Sequence, residues 1–502
     1  MKKSVGILCG LAVAIAVVTT GGAWYTGKQL PAELERSVAN GNEQLKKAIA
    51  GTGGSMTLEL VSLDQHFFTS TAHYRIKAKD LWLGEGEPLS FDLGVTDRIE
   101  HGPFPWSRVK ALNLAPVLAT SNSRLDKDDA TASWYAAAGE QSPITGQVSL
   151  GYDGSVSSDI RLAPVKFSED DGSSLEFSGM RVLLRGDREG KSVRVDGKAE
   201  RLALNLVDGE QPPVNVLLNG FKVAGDLKGT GHDMIYVGHL DMTLAETQVT
   251  LGDKQDVLLL KGLEQNNRYD AEGEDKLSGR LEYKVADITY AGRAVGSGRM
   301  VWSMKSIDIP AMQGLIAWYQ THMPQAQQAA AQGEALPSFE MTPEERVKVQ
   351  ADLQKMLAAK PQLALEELSF KTANGESRFS LAVDLANPPS FDMTPTQVGE
   401  QMVSRLQSKL SVSKPMLGDL ATLQALLDGQ TDAQAIAMQS RQAGEMVGMM
   451  ALQSGMGTVQ GDDVVSSLSY ADGIVDFNGR KMTLEEFGAL VGAHLAALSS
   501  QG

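Results

Sequence analysis

The sequence predicts an α+β protein with an N-terminal transmembrane helix, an extended antiparallel β-sheet of repeated strand pairs, and helices segregated mainly to the C-terminal half. Three observations predict it. Residues 5–18 form an unbroken apolar or glycine run behind two lysines. Glycine marks recur at one spacing between Gly154 and Gly279, amid period-2 alternation. Beyond residue 310 the composition turns to Gln, Ala, Met and Leu, with capped helix starts. The expected division is a transmembrane signal-anchor over 1–27, an amphipathic stalk helix over 28–50 and a repeat-containing antiparallel β region over 51–310. A helical region over 311–502 follows, with β-hairpins near 363–385 and 466–482.

Ser4 to Tyr25 is 22 residues, about 33 Å of helix, which suffices to cross a bilayer core. Lys2 and Lys3 mark the cytoplasmic end, and Trp24 and Tyr25 fit the opposite interface. The expected location is the cell inner membrane, single-pass, with the bulk of the chain in the periplasm. Gly21-Gly22-Ala23 also offers small residues for cleavage after Ala23, so a removed signal peptide is the alternative. Behind this run, Leu30, Leu34, Val38, Leu45 and Ile49 fall at near-helical spacing. That stripe fits either a second copy of the chain or its own domain.

The 502 residues carry a net charge of −16. This disfavours nucleic acid and general adhesion to acidic lipid, although divalent cations can bridge to the latter. The single cysteine, Cys9, lies in the apolar run. No intramolecular disulfide and no Cys-based zinc or iron–sulfur site can form.

Within 51–310 the clearest strand is Arg280 to Val285, with Leu281, Tyr283 and Val285 facing one way and Arg280, Glu282 and Lys284 the other. Ser192 to Val195 and Phe370 to Val383 read similarly. Gly179, Gly220 and Gly262 lie 41 and 42 residues apart, and Gly197, Gly238 and Gly279 are 41 apart, with Gly154 a further 43 upstream. Two marks keeping one period indicate a repeat. Its unit is a pair of long antiparallel strands with a loop, and four units give a twisted sheet of roughly eight strands. One face of such a sheet is wet, and the apolar one needs helices, a second sheet, a partner or lipid to cover it.

In the helical half, Thr342-Pro343-Glu344-Glu345, Thr394-Pro395-Thr396-Gln397 and Thr483-Leu484-Glu485-Glu486 are capping boxes. Residues 311–362 and 394–457 read as helical. A strand pair from Leu363 to Leu385 turns at Ala373 to Glu376, and Asp472-Gly473 and Asn478-Gly479 mark tight turns near the end. The methionine-rich helices are expected to pack on the sheet's apolar face, the alternative being a groove that they gate.

Signals for chemistry are sparse. The seven histidines contain no metal-binding spacing, and His66/His73 and His232/His239 are seven apart, so no metal site is expected. Ser411-Val412-Ser413-Lys414 matches a nucleophile motif without its partner motifs and reads as a solvated helix end. Asp126 to Asp129 lacks the glycine and glutamate of a calcium loop. No cofactor is expected. One segment stands out: His101, Gly102, Pro103, Phe104, Pro105 and Trp106, behind Glu100. Two prolines and a glycine fix its backbone, and Phe104 and Trp106 are expected to anchor it. It is the expected ligand or partner surface. A catalytic His101 is the rival reading, without a nucleophile or acid nearby in sequence.

The segments Thr20 to Lys28, His101 to Pro105, Tyr470 to Gly473 and Asn478 to Phe487 together resemble the YdgA/YihF family of proteobacterial envelope proteins, nearly end to end. The resemblance implies an inner-membrane anchor, a periplasmic body and a homodimer as one assembly, and it implies no catalytic residues. The expected role is a non-enzymatic protein of cell-envelope maintenance, binding or guiding lipid along the apolar sheet face. At the level of fold alone this is loosely similar to AsmA-type proteins. A dimeric scaffold that docks an envelope protein is the alternative, and an envelope hydrolase using His101 the third reading.

Overall fold

The structure is a computed structural model that describes residues 30–49, 52–82, 88–209, 211–233, 235–252, 254–331, 341–388, 391 and 401–499. The expected anchor, with Lys2, Lys3, Trp24 and Tyr25, lies outside these residues, as does the capping box at Thr394. No helix among the described residues is long and apolar enough to cross a membrane. The chain divides into two compact units, residues 1–242 with 315–342, and residues 243–314 with 343–502. Both are built mainly on antiparallel sheet.

The first unit opens with α1 (Leu30–Ala48). Leu30, Leu34 and Leu45 are buried, and Val38 and Ile49 pack beside them. The stripe therefore covers the protein's own sheet. Each such burial contributes about 1.5–3 kcal/mol relative to exposure. Next come β1 (Ser55–Gln65), β2 (Thr69–Leu81), β3 (Leu89–His101), the short helix α2 (Trp106–Lys110), β4 (Ala119–Leu125), the short helix α3 (Ala132–Ala137), β5 (Ile144–Leu150) and β6 (Ser155–Leu162). They pair in chain order as a meander. Their inward alternation (Leu58, Ile76, Val95, Ile99, Leu125, Ile144, Leu150) forms the main core with α1.

From β6 the strands lengthen. β6 runs on into β7 (Val165–Ser168), and β8 (Ser174–Phe177) into β9 (Met180–Asp187). β9 pairs with both β6 and β10 (Ser192–Asp208), β8 with β7 and with the far half of β10, and β10 with β11 (Gln211–Gly229). β12 (Tyr236–Leu251) follows. The repeat glycines Gly179, Gly220 and Gly262 all hold positive φ, at 87°, 70° and 60°, which glycine adopts without a Cβ penalty. At these points the apolar alternation changes parity. Met180, Val182 and Leu184 follow Leu175 and Phe177 across Gly179, while Phe221, Val223 and Leu227 follow Val214, Val216 and Leu218 across Gly220. β10 changes likewise, from Val193, Val195 and Ala199 to Leu202, Leu204 and Leu206, and Ala199 pairs with both Met180 and Phe221. The parity changes are thus side by side, at left-handed residues of neighbouring strands, and Leu162 before them and Phe167 beyond them pack against the same core.

In the second unit, β13 (Asp256–Glu272), β14 (Lys276–Tyr290) and β15 (Arg293–Asp308) repeat the pattern. Leu263 pairs with Val285 on one side of Gly262 and Leu260 with Ile288 on the other. In β15 Gly296, opposite Ile288, holds a φ of 152°, and farther along, near Gly279, Ser306 takes one of 54°. Its hydroxyl donates to Glu272 at 2.9 Å, which secures a conformation that non-glycine residues rarely adopt. Helix α4 (Ile309–Ala331) begins in this unit, capped by Asp308, whose carboxylate accepts from Ala311 N–H at 2.9 Å. α5 (Pro343–Ala358) starts at the proline of its expected capping box. β16 (Gln362–Lys371) and β17 (Glu376–Leu385) form the expected hairpin.

Residues 403–413, expected within a helical stretch, are instead strand β18 (Val403–Ser413), set between β17 and β20 (Asp463–Ala471). Leu406, Leu410 and Val412 alternate with polar residues there, and a partner on each edge decides for strand. Ser413 ends it and caps α6 (Lys414–Leu427), accepting from Met416 N–H. The S-x-x-K match therefore spans a strand-to-helix junction, not a helix end. α7 (Ala433–Ser454) packs on α6, but Met438, Met446, Met449 and Met450 on it are exposed, so these methionines are not core. β19 (Thr458–Gln460) flanks β20, followed by β21 (Ile474–Phe477), β22 (Arg480–Thr483) and α8 (Leu484–Ser499). Both expected tight turns carry positive φ at Asp472-Gly473 and Asn478-Gly479. Thr483 and Glu486 cap reciprocally, Glu486 N–H donating to the Thr483 hydroxyl at 3.2 Å and Thr483 N–H to the Glu486 carboxylate at 2.8 Å.

Candidate functional site

β3 delivers the chain to the corner. His101 N–H donates to Phe68 carbonyl at 2.9 Å, Gly102 N–H to Leu118 carbonyl at 2.8 Å, and Val117 N–H to Pro103 carbonyl at 3.0 Å. The Gly102–Pro103 peptide is cis. A Cβ on Gly102 would sit 1.8 Å from the Val117 carbonyl oxygen, so only glycine fits. Buried Glu100 accepts from Ser107 N–H at 2.8 Å and from its hydroxyl at 2.6 Å, at the start of α2. Buried Arg108 donates to Ser149 at 3.0 Å and Asn113 at 2.9 Å, its Nε has no partner among the described residues, and burial pushes its pKa down. Phe104 and Trp106 do not anchor the corner: both are exposed, whereas Glu100, Pro105 and Arg108 are buried. Lys110 Nζ stands 5.5 Å from the centre of the Trp106 ring.

The corner is one part of a rim. Leu118 N–H donates to Leu150 carbonyl, so the β1–β2 turn, the β3–β4 connection and the β5–β6 turn lie side by side at one end of the meander. All three expose large apolar side chains. Phe67 and Phe68 are 88% and 72% exposed, their rings edge-to-face. Phe104, Trp106, Leu112 and Leu114 follow on the second connection and Tyr152 on the third. Single exposed apolar residues are ordinary, but a contiguous group marks a surface that meets something apolar. α1 folds back along β1, pinned where Asn42 meets Leu58. From Asn42 to Leu30 is about 18 Å of helix, and from Leu58 to Gln65 about 23 Å of strand. The N-terminus of α1 therefore lies toward the rim.

His101 has a partner that its own sequence neighbourhood conceals. Its Nε2 is 3.0 Å from the Ser70 hydroxyl, 31 residues upstream. Burial pushes the His101 pKa down, which suits a neutral ring. Ser70 is 1% exposed, however, so the hydroxyl faces no solvent that a substrate could enter from. On the same face Asp97 is buried and accepts from Ser121 hydroxyl at 2.7 Å, and burial raises its pKa to about 6. The Asp126–Asp129 segment is a turn device: Thr131 N–H donates to Asp128 at 3.0 Å and Thr96 hydroxyl to Asp126 at 2.6 Å. Among the described residues no group of His, Cys, Asp and Glu is arranged to hold a metal. His66 and His232 sit in turns and His73 and His239 on strands, so neither pair shares a strand.

Beyond the rim, the sheet of the first unit is two-faced. Met180, Val182, Leu184, Val193, Val195, Phe221 and Val223 point to one side. Each is half-buried among the described residues, none sealed as the β1–β5 core is. The reverse side at the same positions carries Arg181, Arg194, Lys198, Lys222 and Asp226.

The chain matches, over residues 1–485, the family model described as "Bacterial protein of unknown function (DUF945)". It is 29% identical to "Protein YdgA" of Escherichia coli (strain K12) across 97% of this chain and 96% of that one. It is 25% identical to "Uncharacterized protein YihF" of the same organism, across 95% and 97%. A Haemophilus influenzae protein, also uncharacterized, is 26% identical over 37% of this chain and 49% of its own length. No solved structure matches.

Proposed function

The chain belongs to the DUF945 family, the YdgA/YihF group of bacterial proteins, and on that premise we propose that it is a non-enzymatic, membrane-tethered protein of the cell envelope whose sheet binds or guides lipid. In this reading residues 1–27 span the inner membrane once, and the two units lie in the periplasm. The observation that carries it is the half-buried apolar face of β9, β10 and β11, backed by a charged face. Acyl chains can lie on such a face without stripping water from any polar group. The rim supports the tether: exposed Phe67, Phe68, Trp106 and Leu112 stand at the end toward which α1 starts, and aromatic side chains favour the membrane–water interface.

Full-length protein in lipid nanodiscs containing a diazirine-tailed phospholipid tests both parts. Labelled peptides from 180–184, 193–199 and 221–227 are expected on the face, and from 66–68 and 104–114 at the rim. Labelling confined to the N-terminal segment would overturn lipid binding by the sheet.

A second reading rests on α7, whose exposed methionines suit a protein partner or a second copy of the chain. Sedimentation of the full-length protein separates them: a dimer lost on Met446→Ser with Met449→Ser favours the scaffold.

A further inference from the structure

Strand register reveals a row that composition hides. Arg124 pairs with Thr145, Thr145 with Arg161, Arg161 with Arg181, Arg181 with Lys198, and Lys198 with Lys222. Five cations thus stand in one line across the strands β4, β6, β9, β10 and β11, all exposed, on the charged face. Adjacent strands lie about 4.8 Å apart. Like charges set directly opposite destabilise a sheet, and here three successive pairs of them run without an intervening acid in the row. Asp159 answers two, taking Arg161 at 2.6 Å and Arg181 at 2.8 Å. Burial raises its pKa, but the hydrogen bonds from Arg181 and Arg161 outweigh burial and hold it at about 2. Asp196 and Glu200 lie in the flanking rows. Arg124, Lys198 and Lys222 have no ion pair among the described residues. Beside them Thr96, Arg98, Asn122, Arg124, Gln147 and Arg161 line a groove of ≈ 550 Å³. In a chain of net charge −16 this is a segregated cationic line with hydroxyl and amide donors next to it.

We propose that this row binds a ligand carrying several phosphate groups in line. Arginine forks and lysine ammonium groups are the donors that phosphate oxygens take. A linear set of anions relieves the repulsion along the row, and an isolated anion meets only one or two of the cations. The site lies on the face opposite the apolar one, so it does not depend on lipid lying there. Net charge alone would exclude such a ligand; the local field governs close approach.

The test uses full-length protein in neutral detergent micelles at low salt. Tripolyphosphate is the soluble probe, and dihexanoyl phosphatidylglycerol against dihexanoyl phosphatidylcholine is the headgroup probe, each followed by calorimetry. Tripolyphosphate is expected to bind at least tenfold more tightly than orthophosphate, with affinity falling as salt rises. Arg124→Ser, Lys198→Gln and Lys222→Gln combined should lose tenfold or more, with an unchanged or higher melting temperature, because repulsion is removed. Lys254→Gln, in the turn after β12 and outside the row, should bind as wild type. Binding of the glycerol headgroup as tightly as tripolyphosphate would show that a single phosphate suffices and would overturn the linear reading; tripolyphosphate bound well above both lipids supports it. The proposal fails if the triple variant binds as wild type, or if neither probe binds above its control.

Discussion

The side-chain amide of Asn42 meets the backbone of Leu58 twice, donating to its carbonyl at 2.9 Å and accepting from its N–H at 2.7 Å. A helix side chain here completes the outer edge of β1, where an exposed strand would otherwise present unpaired groups. Asn42→Ala leaves both backbone groups half-buried without partners. It should cost about 1–3 kcal/mol, read as a lower melting temperature, with Asn42→Asp recovering only the acceptor half. An unchanged melt would mean that water replaces the amide fully.

Asp97 gives the fold a pH dependence of defined sign. Its folded pKa, about 6, stands above the unfolded value of about 3.9. The folded state therefore binds the extra proton between these values, and its stability falls as pH rises through that window. The difference is about 3 kcal/mol. Asp97→Asn keeps an acceptor for Ser121 and should remove this slope, raising the melting temperature at pH 7 and leaving it little changed near pH 4. Parallel melting curves for the two proteins from pH 4 to 7 would refute the assignment.

The crossover glycines are predicted to be intolerant. Gly262→Ala places a Cβ at positive φ and 2.9 Å from the Ala286 Cβ, with an expected loss of about 1–3 kcal/mol. Gly273→Asn, at a hairpin turn with open space around it, should cost a few tenths. Equal losses in denaturant titration would show that the crossover is not what demands glycine.

At the rim, Phe67→Ser with Phe68→Ser should leave stability within about 0.5 kcal/mol, because both rings face solvent. The same change should reduce quenching of tryptophan fluorescence by bromolipid in nanodiscs. Quenching as strong as wild type would place the rim away from the bilayer.

The repeat was legible because two glycine marks kept one period, and the structure shows what one mark encodes: a left-handed residue at which the strand's apolar alternation changes parity. The capping box at Thr483 was legible for a local reason, since three residues suffice to define it. β18 was not, because a capping signal at Thr394 suggested a helix, while the alternation of Leu406, Leu410 and Val412 is short and acquires its meaning only between β17 and β20. Ser70 beside His101 and the cationic row from Arg124 to Lys222 were hidden for one reason. Both depend on register between strands that no spacing in the chain records. The corner was found from Gly102 and its prolines, but the roles within it were exchanged: the aromatics face outward, and the polar Glu100 and Arg108 hold it.

The parity crossover also bears on how this architecture can lengthen or shorten. From β8 and β9 through β10 to β11, each strand carries its own parity change, aligned with those of its neighbours. A whole strand pair can then be duplicated or lost with every remaining face intact. A single inserted residue within a strand would instead turn half of that strand inside out. Length differences among related chains are therefore expected in steps of about one 41-residue unit, with isolated insertions confined to the turns.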